Sequence, residues 1–380
     1  MRYFAEVMAG ICNRSALAGG RKLRWLIIAN PTAGGFAMRS RWKKHLCAME
    51  ESKAAAGLNP LHGETAPAAI AAKPDNDPFF ASCGLIPTEG PGHAKQIAAA
   101  LAAEIESIPA DEKQMPFYLV ITAGGDGTSL EVLSVLYHAS EKVRANLAVI
   151  RLPMGTGNDG SDSPNLAGAL NLIIKPSRVE FTPALRLVTS PDGPACGNSP
   201  YLAFNILSVG IDAFITHMTN KMKGKLPGDF YKLWVDIASL LYDLIYKVGY
   251  LDVKVPAING GETMSFREKL LLLAVGISGH RTYGSQKKIL PDDRNACAIK
   301  QMPLLRKLAL KEQFLKGEHI NRPEAIMFNA NRVEISGEYP ILAQMDGEAV
   351  LLKKEDFPVA IELTEPVIPV LRLVNGPSKT

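Results

Sequence analysis

Three short apolar runs, each followed by a turn of glycine and small polar residues, constrain the fold of this chain most strongly. The runs cover residues 23–29, 117–122 and 147–152, and near-continuous apolar runs of this length are typical of strands covered on both faces. The first two turns lead into helical patterns, over about residues 36–53 and from residue 129. Strands that alternate with helices predict an open parallel sheet.

The second half of the chain has a different pattern, in which β-rich segments dominate after about residue 168. Because 380 residues exceed the length at which one hydrophobic core usually stops growing, we predict two domains. The predicted fold class is α/β plus all-β, with an open α/β domain over residues 23–165 and a mainly antiparallel β-sandwich domain over residues 166–371. The β-rich segments cover residues 201–209, 251–255, 269–277, 332–335 and 359–363.

Three further segments carry predictions of their own. The first twenty residues contain no sustained apolar run and predict a frayed leader. Residues 54–84, rich in Ala, Pro, Asn and Asp, predict an extended connection. A long helix is predicted over residues 230–248, where apolar side chains recur on overlapping faces.

Charge and cysteine usage limit the class of protein. A formal net charge of +4 argues against a dedicated nucleic-acid binder. Dispersed cysteines without paired short spacings indicate reduced thiols in a cytosol rather than a disulfide framework or a zinc site. The five cysteines are Cys12, Cys47, Cys83, Cys196 and Cys297.

The turn from Gly124 to Thr128 reads Gly-Gly-Asp-Gly-Thr and is suited to binding phosphate. Backbone N–H groups at a turn before a helix attract anions, and glycine lets a ligand approach the backbone closely. Thr128 could cap the helix and offer a hydroxyl to a phosphate oxygen. A single glycine-rich turn is weak evidence, since an ordinary strand-to-helix turn has the same composition.

Six motifs in fixed order make the case more specific. In these motifs the chain resembles diacylglycerol kinase catalytic-domain proteins and their bacterial lipid kinase and sphingosine kinase relatives, over residues 23–371. The six are Asn30-Pro31-Thr32-Ala33-Gly34-Gly35, Thr88-Glu89 with Gly92-His93-Ala94, the run from Gly124 to Val132, the run from Pro153 to Asp159, Asn205 with Gly210-Ile211-Asp212-Ala213, and Asp346-Gly347-Glu348.

The resemblance implies an N-terminal domain that binds ATP and a C-terminal domain that binds a lipid, with catalysis in the cleft between them. It also implies which residues contact the nucleotide. For Thr88 and Thr156, helix capping is the alternative role. The implied nucleotide-contacting residues are Asn30, Pro31, Thr32, Ala33, Gly34, Thr88, Gly124, Gly125, Asp126, Gly127, Thr128, Ser129, Leu130 and Thr156.

Phosphoryl transfer needs a carboxylate within reach of the substrate hydroxyl to accept its proton. The resemblance places this acceptor in the Asp346-Gly347-Glu348 element, and we favour Glu348 as base with Asp346 organising the site. Asp126 and Asp159 follow strands, where open α/β sheets gather ligands, and either could act through Mg²⁺-bound water. A helix cap is an equally good interpretation of Asp159.

One stretch departs from the family pattern. Bacterial relatives have a proline followed about six residues later by an Asp-Gly pair that helps hold a structural magnesium. Counting from Pro291 puts Cys297-Ala298 at that place, and a neutral thiol is a poor magnesium ligand. The second-domain metal site is therefore either lost or rebuilt with Asp292 or Asp293, and its ligands stay unknown.

The sequence thus predicts a lipid kinase that uses ATP and Mg²⁺ to phosphorylate diacylglycerol or a sphingoid-type acceptor. Two alternatives stay open: an NAD kinase-like phosphotransferase and a catalytically silent nucleotide- or lipid-binding protein of the same fold. Because no run of about 18 apolar residues occurs, we expect a cytoplasmic protein without a transmembrane segment that reaches its lipid at the membrane surface. A homodimer is one option for its oligomeric state.

Overall fold

The computed structural model describes residues 1–58, 84–109, 115–198, 200–222, 242–258, 260–283 and 287–374. The chain divides into two compact units. The first unit comprises Met1–Thr182 with Pro366–Lys379, and the second comprises Pro183–Glu365. Cys83, most of the predicted connection over residues 54–84 and most of the predicted helix over residues 230–248 lie outside the described residues.

The first unit contains a mostly parallel sheet with helices around it. The strand order is β2-β1-β3-β4-β19-β5, in which only β5 is antiparallel to its neighbour. Its elements are α1 (Arg2–Asn13), β1 (Leu23–Ala29), α2 (Gly34–Ala37), α3 (Arg39–Ala55), β2 (Gly84–Pro87), α4 (His93–Ser107), β3 (Phe117–Gly124), α5 (Asp126–His138), α6 (Glu141–Ala145), β4 (Leu147–Pro153), α7 (Leu166–Ile174), β5 (Ser177–Thr182) and, near the C-terminus, β19 (Ile368–Leu373).

The buried strands of this sheet are those that the apolar runs predict. Strand β1 has the predicted bounds, and β3 and β4 extend the predicted runs by one or two residues. Every residue of β3 and β4 is buried, because helices cover both faces of a parallel sheet. The prediction of an open α/β domain is confirmed.

The frayed leader predicted for the first twenty residues is wrong. Residues Arg2–Asn13 form helix α1, and Phe4, Val7, Met8 and Ile11 are almost completely buried in the core of the first unit. These positions are spaced by three, one and three residues, which places them on one helical face. The helix is stable because this face packs in the core, although the segment contains no long apolar run.

The second unit is built from antiparallel strands, as predicted. Its sheet has the order β17-β16-β8-β10-β9-β15-β18-β6-β7, with β13 and β14 branching from β10, and β11 pairs with β12 separately. Its elements are β6 (Leu185–Val188), β7 (Tyr201–Ala203), β8 (Ile206–Gly210), α8 (Ile211–Met222), α9 (Tyr242–Ile245), β9 (Tyr250–Val255), β10 (Met264–Gly276), β11 (Arg281–Tyr283), β12 (Lys287–Leu290), β13 (Ala296–Lys300), α10 (Leu304–Lys316), β14 (Ala325–Phe328), β15 (Arg332–Gly337), β16 (Ile341–Met345), β17 (Glu348–Leu352) and β18 (Val359–Leu363).

The long strand β10 joins two halves of this sheet, which share one hydrophobic core. Its first residues pair with β9, and its last residues pair with β8 and β13. Side chains from both halves enter the same core, for example Leu207 from β8, Val253 from β9 and Ile361 from β18. This common core gives the unit the layered antiparallel architecture that the sequence predicts.

The unit boundary differs from the predicted division at residues 165/166. Helix α7 and strand β5 belong to the first unit, and β19 returns to it after the whole second unit has been formed. Strand β19 pairs with both β4 and β5. Such a pairing joins segments that are about 200 residues apart, so no local sequence pattern reveals it.

None of the helices within the described ranges is both long enough and apolar enough to cross a membrane.

Candidate functional site

Four parallel strands of the first unit end at one edge of its sheet, where the predicted nucleotide loops begin. The backbone N–H of Thr88, after β2, donates to the carbonyl of Ala29 at 2.7 Å, and the N–H of Asn30, after β1, donates to the carbonyl of Ala123 at 2.9 Å. Open α/β sheets bind ligands at the carboxyl ends of their strands. The sheet therefore gathers these loops at its ligand-binding edge.

The Gly124–Thr128 turn joins β3 directly to α5. Gly124 is the last residue of β3, Gly125 is the N-cap, and α5 begins at Asp126. The first N–H groups of a helix have no intrahelical acceptor, and the helix dipole adds positive potential there. Thr128 does not cap the helix, because it lies within the first turn and packs against Gly124, where a Cβ would overlap its side chain.

Glycine is required where the turn meets the loop after β4. A Cβ on Gly155 would lie only 2.6 Å from Gly125 Cα. The N–H of Gly155 donates to Asn158 Oδ1 at 2.6 Å, which holds the loop in this position. The two backbones therefore touch without intervening side chains.

The loop after β1 joins them at a third contact. The N–H of Gly35 donates to the carbonyl of Met154 at 2.8 Å, and a Cβ on Gly35 would lie 2.8 Å from that oxygen. We call the surface formed by residues 30–35, 124–128 and 153–160 the glycine cradle. Its three loops approach each other through backbone atoms, as a phosphate-binding surface requires.

Other predicted nucleotide residues have defined places around the cradle. Asn30 Oδ1 accepts from the N–H of Thr32 at 3.0 Å and from its hydroxyl at 2.8 Å, so the loop after β1 is held by its own asparagine. The Ser129 hydroxyl lies 2.9 Å from the hydroxyl of Thr122 on β3, and Leu130 is half-buried one turn into α5. The side chain of Ser129 is thus directed to β3 rather than to the loops.

The capping alternatives for three candidate residues are wrong. Helix α4 has Gly92 as its N-cap, and α7 has Asn165, whose side chain accepts from the N–H of Gly168 at 2.8 Å. Thr88, Thr156 and Asp159 all lie outside these cap positions. Helix capping therefore does not explain the positions of these three residues.

Two carboxylates converge on the rim of the cradle. Asp126 Oδ1 accepts from the N–H of Gly160 at 3.1 Å. Asp126 Oδ2 and Asp159 Oδ2 lie 3.2 Å and 3.1 Å from the position that a Cβ on Gly157 would occupy. Both candidate carboxylates therefore border the same small space.

Arg41 contacts the cradle, and the motifs did not reveal it. It lies on α3, and its Nη1 donates to the carbonyl of Gly155 at 2.8 Å and to that of Thr156 at 3.3 Å. Burial and the Arg41 charge lower the pKa of nearby His45, so this imidazole is neutral at pH 7 and Arg41 is the cation.

Glu131 was named only as part of a motif, yet it ties two loops together. Its Oε1 accepts from the N–H of Gly92 at 2.8 Å, and its Oε2 accepts from the N–H of Lys95 at 3.2 Å. A carboxylate from α5 thus accepts hydrogen bonds from backbone N–H groups at the N-terminus of α4, which have no acceptor within their own helix. This contact fixes the segment that begins at Thr88 relative to the Gly124–Thr128 turn.

A buried ion cluster holds the far end of the third cradle loop. Asp162 accepts from the backbone N–H of Arg151 at 2.8 Å and from its Nη2 at 2.8 Å, and it lies 3.3 Å from Arg372 Nη1 on β19. Burial tends to raise the pKa of Asp162, but the two arginines and these hydrogen bonds outweigh it, so the pKa is lowered. The loop carrying Thr156 and Asp159 is therefore fixed to the sheet by a charged aspartate.

Replacing Asp162 by asparagine should destabilise the first unit by about 3 kcal/mol, because it leaves two arginines facing a neutral group in a buried site. Urea denaturation of the Asp162→Asn variant measures this loss. Glu51→Gln, an exposed carboxylate on α3, is the matched control and should change stability by less than about 0.5 kcal/mol.

Acid should have the same effect on the unmodified protein. Because the pKa of Asp162 is lowered by folding, its stabilisation is complete above its ordinary value of 3.8 and is lost as the pH falls below that value. The Asp162→Asn variant should lose less stability over this range. Equal acid sensitivity in both proteins would contradict the assignment.

In the second unit, Asp346 organises a backbone turn. Its carboxylate accepts from the backbone N–H groups of Phe204, of Asn205 at 3.1 Å and of Ile206 at 3.0 Å. These contacts interrupt the single strand predicted over residues 201–209, which forms β7 and β8 instead. Asp346 and Gly347 have positive φ angles of 46° and 97°, so the element is a tight turn, as predicted.

Glu348 begins β17, and its side chain is exposed. The carbonyl of Gly347 accepts from Asn220 Nδ2 at 2.9 Å, and the N–H of Gly347 donates to Gln344 Oε1 at 3.1 Å. Gln344 also donates to Asp212 Oδ2 at 3.0 Å, within a buried network that includes Ser208. The Asp346-Gly347-Glu348 turn is thus supported from β16 and α8.

The stretch around Cys297, where the sequence departs from the family pattern, has defined contacts in the second unit. Cys297 is buried in β13, and burial raises the pKa of its thiol to about 12. Arg294 Nε donates to Asp292 Oδ2 at 3.0 Å, and His280 Nε2 lies 2.8 Å from Asp293 Oδ1. In the part of the chain that the structure describes, no three His, Cys, Asp or Glu side chains are grouped as a metal site.

The part of the chain that contains the cradle is similar to known proteins. A family model described as the diacylglycerol kinase catalytic domain matches residues 24–177, a range that includes all three cradle loops. Residues 24–177 are therefore similar to the diacylglycerol kinase catalytic domain. This similarity supports a kinase-type phosphotransferase.

Two similar proteins extend this comparison. A diacylglycerol kinase of Bacillus subtilis (strain 168) is 27% identical over 244 residues, which cover 61% of this chain and 71% of that protein. A solved structure of a diacylglycerol kinase from Bacillus anthracis str. Sterne covers 94% of this chain and 98% of its own, with a TM-score of 0.53 and 17% identity. At this identity the second likeness shows the fold alone.

Proposed function

We propose that this protein is an ATP-dependent lipid kinase, which transfers the γ-phosphate to a hydroxyl of diacylglycerol or a sphingoid-type lipid. The observation that carries the proposal is the glycine cradle within the region similar to the diacylglycerol kinase catalytic domain. The diacylglycerol kinase named in the sequence comparison supports the choice of a lipid acceptor.

In the nucleotide half, the cradle would hold the phosphates of ATP. Backbone N–H groups at Gly125 and in the first turn of α5 are suited to bind phosphate oxygens, and the dipole of the 13-residue helix α5 favours negative charge there. The backbone contact between Gly125 and Gly155 lets a phosphate come close to these groups. The nucleotide needs no Walker-type loop in this arrangement.

Arg41 would supply the positive charge that the cradle itself lacks. We expect Arg41→Ala to weaken ATP binding by about tenfold, because it removes a charged donor and the tether to Gly155. Calorimetric titration with ATP and with adenosine measures the effect, which should be much smaller for adenosine.

Lys44→Ala, an exposed cation on the same helix, is the control and should bind ATP normally. Arg41→Lys should retain part of the affinity, since the charge remains but the two-carbonyl contact is lost. An Arg41→Ala variant that loses affinity for adenosine and ATP equally would show that Arg41 only shapes the loops.

Asp126 and Asp159 fit the proposed role of magnesium ligands. Mg²⁺ takes oxygen ligands and usually needs only one or two carboxylates, directly or through water. Bound with ATP, the ion would neutralise charge on the phosphates. Asp126 additionally orients the 153–160 loop by accepting from Gly160.

In the acceptor half, Glu348 is the better candidate for proton acceptor. The Asp346 carboxylate already accepts three backbone N–H groups, so it is suited to hold the turn rather than to take a proton. Glu348 is exposed at the start of β17, where a substrate hydroxyl could reach it. Asp346 would then be a positioning residue.

A panel of acceptors tests the proposal. The protein is incubated with γ-labelled ATP, Mg²⁺ and, in separate reactions, micellar diacylglycerol, a sphingoid base, and NAD. The proposal expects labelled phospholipid or phosphorylated sphingoid base. Label only in NADP would refute the lipid acceptor, and ATP binding without any transfer would indicate a silent member of the fold.

A further inference from the structure

Helix α10 of the second unit exposes three leucines to solvent. Leu304, Leu305 and Leu308 are 42%, 80% and 48% exposed. Among the described residues, the other exposed large apolar side chains lie outside α10, and no two of them share a helix or strand, as is usual for scattered surface residues. The outer side of the first two turns of α10 is therefore an apolar patch, which we call the leucine face.

The inner side of α10 fixes this orientation. Lys307 and Leu310 are buried there, and Lys307 Nζ pairs with Asp243 Oδ1 on α9. Gln301 Nε2 donates to Asp243 Oδ2 at 3.1 Å, just before the helix. A buried lysine paired with a carboxylate is costly to expose alone, so the helix cannot rotate its leucines inward.

Helix α10 also carries cations near the leucine face. The helix has four cations and one carboxylate. Arg306 Nη2 lies 2.6 Å from Glu324 Oε1, and the single carboxylate, Glu312, is exposed on the outer side. Of the four cations, Lys307 is buried against Asp243 and Arg306 pairs with Glu324, so Lys311 and Lys316 are the cations outside these two ion pairs, and Lys316 is exposed.

An apolar patch with an exposed lysine on the same helix matches the interface of an anionic membrane. Leucines enter the boundary between head groups and acyl chains, while lysine and arginine extend to the phosphates. A second copy of the chain is a poorer match. The exposed parts of the three leucines together amount to less than two whole leucines, far below the ~800 Å² per partner of a stable dimer.

We propose that the leucine face of α10 docks into the surface of an anionic phospholipid bilayer. The inference rests on the proposed function in one respect, because a lipid kinase meets its acceptor at such a surface. It assigns the docking to Leu304, Leu305 and Leu308, with the exposed Lys316 of the same helix contributing the preference for anionic lipid.

Vesicle co-sedimentation tests this docking. The full chain is mixed with vesicles of phosphatidylcholine alone or with added phosphatidylglycerol, and the bound fraction is measured. We expect binding to the anionic vesicles and about tenfold weaker binding for Leu305→Ser/Leu308→Ser, because inserted leucines contribute most of the apolar burial. Lys316→Gln should weaken binding about fivefold at low salt and less at high salt.

Val374→Ser in the first unit is the matched control, since Val374 is exposed to the same 48% as Leu308. It should bind vesicles like the unmodified protein. The single variant Leu305→Ser guards against misfolding, because this side chain makes little contact with the fold. Circular dichroism and thermal melting confirm that each variant is folded.

Unchanged vesicle binding by the double leucine variant would overturn the proposal. So would a dimer of the unmodified protein that becomes a monomer in this variant, because the face would then join two copies. The kinase proposal is tested separately with a short-chain diacylglycerol dissolved as monomers. Loss of docking leaves that reaction intact, and absence of that reaction leaves the vesicle result unaffected.

Discussion

Glu348→Gln should reduce lipid phosphorylation by about 100-fold to 10,000-fold while leaving the affinity for ATP nearly unchanged. The amide has almost the shape of the carboxylate but cannot accept the proton of the acceptor hydroxyl. Glu348 is exposed at the start of β17, so the substitution costs the fold little. Steady-state turnover with saturating ATP and calorimetric ATP binding measure the two quantities.

Glu338→Gln is the matched control, since Glu338 is also an exposed glutamate of the second unit, in the segment before β16. It should react at the normal rate. Asp346→Asn adds a contrast, because Asp346 holds the backbone of residues 204–206. We expect this variant to lose thermal stability as well as turnover. A normal rate for Glu348→Gln would remove Glu348 as the base.

Gly125→Val should weaken ATP binding by about tenfold to 100-fold, because a branched side chain at the N-cap of α5 blocks the approach of phosphate to the backbone. A Cβ alone would sit 3.8 Å from Gly155 Cα, which is ordinary contact distance. Gly125→Ala should therefore fold normally and show a smaller loss. Calorimetric titration with ATP measures the graded effect.

Gly197→Val is the control for introducing valine at a glycine, since nothing lies within 4 Å of a Cβ at this position. This variant should bind ATP like the unmodified protein. If Gly125→Val also bound ATP normally while remaining folded, the glycine cradle would not be the phosphate site. At saturating ATP, the turnover of Gly125→Ala should approach that of the unmodified protein. The reason is that the residues proposed to act on the acceptor are unchanged.

The strands and loops of the cradle were predictable because their signals are local. A buried strand followed by glycine appears in a few consecutive residues, and the bounds of β1 and β18 agree with the apolar runs. The break between β7 and β8 was not predictable. It depends on Asp346, which lies about 140 residues away and accepts the backbone N–H groups there.

Contacts between segments that are far apart in the sequence also determine the roles of the residues that the sequence did not reveal. Asp162 acquires its role from Arg151 and from Arg372 on β19, a strand that returns from the other end of the chain. Arg41 joins the cradle only because α3 packs beside the loop after β4. Helix α1, by contrast, was available from the spacing of Phe4, Val7, Met8 and Ile11.

The fate of the γ-phosphate with diacylglycerol as the sole acceptor tests the central claim most directly. The protein is incubated with γ-labelled ATP, Mg²⁺ and short-chain diacylglycerol, and the labelled products are separated and counted. We predict that phosphatidic acid forms in the same amount as ADP, and that this product is lost in Glu348→Gln. ADP accompanied only by free labelled phosphate, or no ADP despite ATP binding, would contradict the assignment as a lipid kinase.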